Sequence, residues 1–236
     1  MPSLRLVPLG VGDAFSALYY STSLALVAAD GRWLLVDCPH PIHKILREIS
    51  ETSGVELPLS SLVGICVTHL HMDHASGLEG LGYFVKFVLS NPTPPNLYSG
   101  PHVVDAFRQY PEAEVFNLVP IAQPTQAGPF TIEARRVTHG DLPACAFRIS
   151  AGGRTLGHSG DTIFDVDLIR WITQADFAIH EAGAMVEPNP LHTSYGRLAA
   201  LPDQLRCRLH LAHYQDDFDV AGSVIEALRP GKVYVV

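Results

Sequence analysis

Residues 66–77 read CVTHLHMDHASG, which sets His69, His71, Asp73 and His74 within six positions at the end of an apolar run. Burying four such side chains without partners would cost stability, and a solvent-facing set would need no such spacing. Imidazole nitrogen with carboxylate oxygen is the mixed donor set that zinc accepts, at about 2.0–2.2 Å. His69 and His71 lie two apart, so an extended or looped backbone points both the same way. Asp73 and His74 are adjacent and diverge, which suits them to a second ion. The stretch reads as the heart of a metal centre whose remaining ligands lie elsewhere in the chain.

Short apolar strands and turns surround it. SLRLVPLG, SLALVAAD and RWLLVDC read as strands, with Asp30-Gly31 as the hairpin turn between the last two. Pro41 starts a helix that puts Ile42, Ile45, Leu46 and Ile49 on one face. LVGICVTH is a buried strand leading into the cluster, LEGLGYFVKFVLS is helical, and the proline-rich SNPTPPN ends that helix. Further on, FTIEARRVTH, ACAFRIS, RTLGHSG, DFAIHE and RLHLAH read as strands, with a turn at Gly152-Gly153. DLIRWIT reads as a helix, and VAGSVIEALRPG as another stopped by Pro230-Gly231. This order predicts one α/β domain over residues 1–236, built from stacked sheet layers covered by helices.

The 236 residues are 47% hydrophobic and 17% charged, a balance that suits a well-packed globule. The 24 acidic against 16 basic residues give a net charge of −8. That charge opposes binding of a long nucleic acid, which needs a basic face. A small anionic substrate stays compatible, because a metal supplies positive charge locally. Cys38, Cys66, Cys145 and Cys207 lie far apart and form no CxxC pair, and the last three sit in strand-like stretches. They read as reduced core thiols of a cytoplasmic protein. MPSLRLVPLG is too short and interrupted for a signal peptide, and no run approaches a membrane span.

HLHMDH matches, residue for residue, the HxHxDH signature of the metallo-β-lactamase superfamily, which the chain resembles over nearly its whole length. The resemblance implies an αββα four-layer sandwich. It sets Asp37 of LLVDC at the family's structural aspartate and His139 of RVTHGDLPACAFRIS at the third-motif histidine. Asp161 of GHSGDT falls at the bridging aspartate, and His213 of HLAHYQ at the last histidine. The implied cofactors are two divalent ions, zinc with manganese as the alternative. One would take His69, His71, His139 and Asp161, the other Asp73, His74, Asp161 and His213. The three distant ligands each stand at or just past the end of a strand-like segment, so one sheet edge would gather them. Leu209, Leu211 and His213 share a face by alternation, and His210 faces the other way. His40 and His43 read as surface residues and His102 and His210 as ordinary ones, whereas His158 and His180-Glu181 flank metal motifs and are candidates to hold ligands in place.

Flavodiiron-type oxygen reducers carry an acid where His71 stands, so the resemblance favours a hydrolytic zinc pair. VTHGDLPACAFRIS and SGDT resemble the ribonuclease Z branch, which cleaves phosphodiesters. The 22 positions from His139 to Asp161 accommodate a Gly-Gly hairpin but not the long arm with which ribonuclease Z grips tRNA. Residues 191–218, LHTSYGRLAALPDQLRCRLHLAHYQDDF, resemble the C-terminal motif of compact cyclic-nucleotide phosphodiesterases of the anti-Pycsar type. There a histidine before a small hydroxyl residue assists the leaving group, and His192, ahead of Thr193 and Ser194, matches it. Thr193 also reads as the N-cap of a helix in SYGRLAAL.

The expected reaction is hydrolysis of a small phosphodiester, a cyclic nucleotide by this resemblance. A hydroxide held between ions about 3.5–4 Å apart would attack phosphorus in line. Asp73 would orient it or take its proton, and His192 would protonate the departing oxygen. Tyr83, Phe84, Tyr195 and Tyr214 are candidates to stack on a base. The resemblance also implies a homodimer. Two other readings stay open: a metallohydrolase of another small ester or lactone, and a metal-stabilised binding protein without turnover.

Overall fold

The first sheet grows from strands that are apolar on both faces. In β1 (Leu4–Gly10), Leu4 and Leu6 join one core while Val7 and Leu9 join a second on the opposite face. β2 (Ser23–Ala28) divides Leu24 and Leu26 from Ala25 and Val27, and β3 (Trp33–Val36) divides Leu34 and Val36 from Trp33 and Leu35. Period-two alternation makes that division, and burial of both sets is why these strands read as unbroken apolar runs. The computed structural model describes residues 4–89, 93–183 and 189–236.

Helix α1 (Ile42–Ser53) covers the second core with Ile42, Ile45, Leu46 and Ile49, the face that its periodicity predicts. Gly54 ends it in the left-handed conformation. There follow β4 (Leu62–Cys66), α2 (Met72–Ala75) and α3 (Leu78–Tyr83), which runs into a π-helical turn over Phe84–Val88. β5 (Asn96–Ser99), α4 (Pro101–Phe107) and β6 (Asn117–Pro120) complete this half. Of the proline-rich stretch expected to end the helix, residues 90–92 lie outside the described residues.

The second half holds β7 (Thr125–Ala127), β8 (Phe130–His139), β9 (Leu142–Ala151) and β10 (Arg154–His158). Then come α5 (Val166–Ile172), β11 (Phe177–Glu181), α6 (Tyr195–Ala199), α7 (Asp203–Arg206), β12 (Leu209–Ala212), β13 (Glu226–Ala227) and β14 (Tyr234–Val235). Two seven-stranded sheets result, ordered β14-β1-β2-β3-β4-β5-β6 and β13-β12-β11-β10-β9-β8-β7. Each is antiparallel at one end and parallel at the other. Leu24, Leu26 and Leu34 of one sheet and Phe130, Phe147 and Ile149 of the other share the core between them. The layers are the expected αββα sandwich.

Three local expectations fail. The segment VAGSVIEALRPG is not a helix. Glu226 and Ala227 pair in parallel with His210 and Leu211, and Leu228 N donates to Leu211 O at 2.8 Å. Ile225, Ala227 and Leu228 are buried by that pairing, so completing the sheet edge outweighs the helical spacing of the segment. Thr193 does not cap α6: Ser194 holds the cap position, and Thr193 Oγ1 donates instead to Thr162 O at 2.9 Å. Cys207 is exposed after α7 rather than buried in a strand, whereas Cys38, Cys66 and Cys145 are buried thiols.

Candidate metal centre

Every residue in the expected ligand set stands at the same edge of the two sheets. His69 and His71 follow β4, and α2 carries Asp73 and His74 in its single turn. His139 ends β8, Asp161 lies three residues beyond β10, and His213 directly follows β12. Among the described residues, two non-glycine residues adopt the left-handed region, Asp37 at φ 58° and His213 at φ 54°. Such conformations cost energy and persist where the surrounding structure enforces them, commonly at functional sites.

The donor atoms converge in two groups. His71 Nδ1 lies 3.0 Å from both His69 Nε2 and His139 Nε2. In the second group, His74 Nε2 is 3.2 Å from Asp73 Oδ2 and 3.3 Å from Asp161 Oδ2, and His213 Nε2 is 3.2 Å from each of those oxygens. Asp161 Oδ2 also lies 3.7 Å from His69 Nε2, so one oxygen stands between the groups. A tetrahedral ion with bonds of about 2.0–2.1 Å separates its donors by about 3.3–3.4 Å. The 3.2–3.3 Å spacings of the second group fit that figure, and the 3.0 Å spacings of the first fall somewhat below it.

Tautomers sharpen the fit. His139 Nδ1 donates to Leu191 O at 2.8 Å, and His74 Nδ1 donates to Asp37 Oδ2 at 2.8 Å. Thr68 Oγ1 donates to Asp37 Oδ2, leaving it to accept from His69 Nδ1 at 3.0 Å. A proton held on each far nitrogen leaves the near one free to offer a lone pair to an ion. His74 Nε2 and Asp161 Oδ2 are buried without a hydrogen-bond partner. Imidazole nitrogens turned toward carboxylate oxygens in a buried pocket suit a bound cation, so the residues present fit divalent metal ions.

Charge balance says the same. Burial pushes the Asp73 carboxyl up, but the hydrogen bond from His213 and the neighbouring His74 outweigh it and hold it well below the carboxylate range. Burial likewise lowers His213, yet the Asp161 charge and the Asp73 hydrogen bond raise it to about 9. His69 is kept well below the usual histidine range by burial and by neighbouring His74, so its nitrogen stays available as a donor. Metal binding would displace the protons that now balance the two carboxylates.

His192 lies beside this cluster, with Nδ1 3.8 Å from Asp161 Oδ2 and 3.4 Å from Glu181 Oε1. Burial lowers its pKa, but the close Glu181 carboxylate and its charge raise it above the usual value. Glu181 Oε1 accepts from Thr193 N at 2.7 Å and Thr162 N at 3.3 Å, and its Oε2 accepts from Gly183 N at 2.7 Å. This carboxylate ties the Asp161 loop to the His192 loop. His158 Nδ1 accepts from Gly160 N at 3.1 Å, which steadies the turn before Asp161. His180 Nδ1 donates to Glu181 O. His40 and His43 are exposed, and His102 bonds to Ala144 O, as ordinary residues would.

A cavity of about 550 Å³ opens over the cluster and includes His71, Asp73, Asp161, His192 and His213 in its lining. None of Tyr83, Phe84, Tyr195 and Tyr214 lines it, which corrects the expectation that they stack on a base. Tyr214 is a core residue whose hydroxyl donates to Leu228 O, and Tyr83 stacks on Phe87. The lining instead includes Asp13, Phe15, Met72, Asn189 and Gln215. Sequence reasoning missed these, although Met72 stands inside the HxHxDH motif.

A family model described as "Anti-Pycsar protein Apyc1" matches residues 4–227. The chain is 27% identical over 264 residues to an anti-Pycsar protein Apyc1 of Bacillus phage 010DV004, with 99% of each chain covered. It is 24% identical over 265 residues to a "cGMP-dependent 3',5'-cGMP phosphodiesterase A" of Dictyostelium discoideum, covering all of this chain and 28% of that protein. Among solved structures, the metallo-β-lactamase fold protein YhfI of Bacillus subtilis superposes with a TM-score of 0.78 at 19% identity, covering 98% of this chain and 99% of that one. The short form of human tRNase Z gives 0.72 at 20% identity, with 98% of each covered. The fold is the metallo-β-lactamase fold.

Proposed function

The chain belongs to the anti-Pycsar protein Apyc1 family, and from that premise we propose that it is a metal-dependent phosphodiesterase that hydrolyses a cyclic nucleotide. The observation that carries this reading is the position of Asp161 Oδ2, within 3.2–3.7 Å of His213, His74 and His69, with His192 beside it. We assign His69, His71, His139 and Asp161 to one divalent ion and Asp73, His74, Asp161 and His213 to the other. Divalent ions held there, zinc or manganese, would supply a nucleophile near neutral pH and would neutralise charge on the phosphoryl oxygens.

The chain's own residues do the rest. Asp73 turns Oδ2 toward His74 and His213, which leaves Oδ1 to orient the attacking water or accept its proton. His192 donates a proton to the ribose oxygen as the P–O bond breaks. Glu181 raises the proton affinity of His192 and fixes its loop. Between His139 and Asp161 stands only the β9–β10 hairpin, and the net charge is −8, which supports a small substrate over a tRNA. The name of the Dictyostelium relative supports a cyclic nucleotide.

The test is side-by-side incubation with cyclic mononucleotides and a 3′-extended tRNA, with bound metal measured in the same preparation. Opening of a cyclic nucleotide is expected. Clean 3′ trimming of the tRNA with cyclic nucleotides untouched overturns the reading. The proposed working unit is a homodimer, which light scattering reads as twice the 25.7 kDa chain mass.

A further inference from the structure

The loop between β1 and β2 holds an aromatic ring in water. Phe15 is 92% exposed, yet the backbone around it is tied down. Asp13 Oδ1 accepts from Phe15 N at 2.9 Å. Asp216 takes the Ser16 hydroxyl at 2.5 Å, Ala17 N at 2.8 Å and Leu18 N at 3.2 Å. Gly12 lets the loop fold flat, since a Cβ there would meet Ser16 Cβ at 2.6 Å. The anchors Tyr214 and Asp216 lie one and three positions after the proposed ligand His213, with Tyr214 N on Val11 O at 3.1 Å and Asp13 N on Tyr214 O at 3.3 Å. The loop is therefore fixed relative to the metal centre.

Exposing a phenyl ring forfeits the stabilisation of burying it. Here Phe15 lines the same cavity as His192 and His213, and so does Met72, itself 73% exposed on the turn that carries Asp73. The cavity thus has two chemical ends. Its floor is built to hold cations and the anionic group they attract. Its rim offers an aromatic face and a polarisable thioether, which suit a flat heterocycle.

We propose that Phe15, with Met72, forms the base-binding rim of this site, the ring stacking on the planar heterocycle of the substrate while the phosphodiester sits at the metal ligands. This rests on the phosphodiesterase reading and adds residues to it. Stacking is tolerant of base identity because every base presents a π-face. The rim therefore selects a nucleotide over a bare sugar phosphate without choosing strongly among bases.

The experiment compares the metal-loaded wild type with Phe15→Ala, Phe15→Leu and Phe15→Trp. The two substrates are a 3′,5′-cyclic mononucleotide and the matching methyl riboside 3′,5′-cyclic phosphate, which lacks a base. Calorimetric binding of a nucleoside 5′-monophosphate against ribose 5-phosphate gives a second readout. Phe15→Ala should lower kcat/KM for the cyclic nucleotide about 10- to 100-fold, through KM, and weaken monophosphate binding alike. The base-free compounds should be unaffected, Phe15→Leu should fall between, and Phe15→Trp should restore the wild-type value. Equal loss on both substrates, or no loss while the nucleotide is still cleaved, overturns the proposal. So does a fall in molecular mass that accompanies the loss, which would make Phe15 a contact between copies of the chain. Wild-type protein inactive on both substrates would instead bring down the phosphodiesterase reading on which the rim depends.

Discussion

Asp37 Oδ2 lies 2.8 Å from both His74 Nδ1 and Thr68 Oγ1, and its Oδ1 accepts from Thr68 N at 2.7 Å. One buried carboxylate at the end of β3 therefore sets the tautomer of His74 directly and that of His69 through Thr68. Asp37→Ala strands three buried donors and frees both rings to turn. Supporting residues of this kind typically control metal affinity 10- to 100-fold. Competition against a chromophoric chelator should show that loss, and unchanged affinity would mean the rings are held by packing alone.

Asp161→Ala should remove the oxygen that stands between the two donor groups, so both ions should be lost. Elemental analysis after gel filtration is expected to give about two ions per wild-type chain and fewer than one for the variant, by the ligand arithmetic of the two sites. Ions that bind only the folded chain also raise its unfolding temperature. Zinc should raise the unfolding temperature of the wild type and leave that of Asp161→Ala nearly where it was. A wild type that holds one ion or none after zinc or manganese is restored would sink the dinuclear assignment.

Gly160 precedes that aspartate at φ 58°, and a Cβ there would meet Cys145 O at 2.6 Å. Gly160→Ala combines a left-handed non-glycine residue, about 1–2 kcal/mol, with a clash against backbone. Unfolding in urea should show at least that destabilisation, and metal affinity should fall because Asp161 is displaced. A variant as stable as the wild type would mean the turn can relax, contrary to the bond from Gly160 N to His158 Nδ1.

The readable parts of this protein are those whose chemistry is local. Asp73 and His74 stand together on α2, so four candidate ligands announce themselves in six positions. His139 and His213 were legible because the strands that carry them end beside them. β13 was not legible, because its apolar residues have helical spacing and only its pairing with β12 makes it a strand. Phe15 escaped for a similar reason. Its loop is fixed by Asp216, about 200 positions away, and no short-range pattern records that bond. Glu181 was flagged by its neighbourhood to the last motifs, but its three backbone donors from separate loops appear only in the folded chain.

His192 provides the sharpest test of mechanism. Its ring stacks near His213 with centroids 5.2 Å apart, and Glu181 and Asp161 flank Nδ1. If His192 protonates the leaving oxygen, the benefit depends on how badly that oxygen needs a proton. A ribose alkoxide is a poor leaving group, and general-acid help of this kind is typically worth about 10²–10⁴-fold. A p-nitrophenolate departs readily and needs little. His192→Ala should therefore slow a cyclic nucleotide severely and bis(p-nitrophenyl) phosphate only mildly, with metal content unchanged. Glu181→Gln should shift the same selectivity in the same direction but less, since it removes the charge that raises the proton affinity of His192 and keeps one of the two oxygens that accept from the backbone. Equal losses on both substrates would assign His192 to positioning, because an interaction that serves binding alone does not distinguish leaving groups.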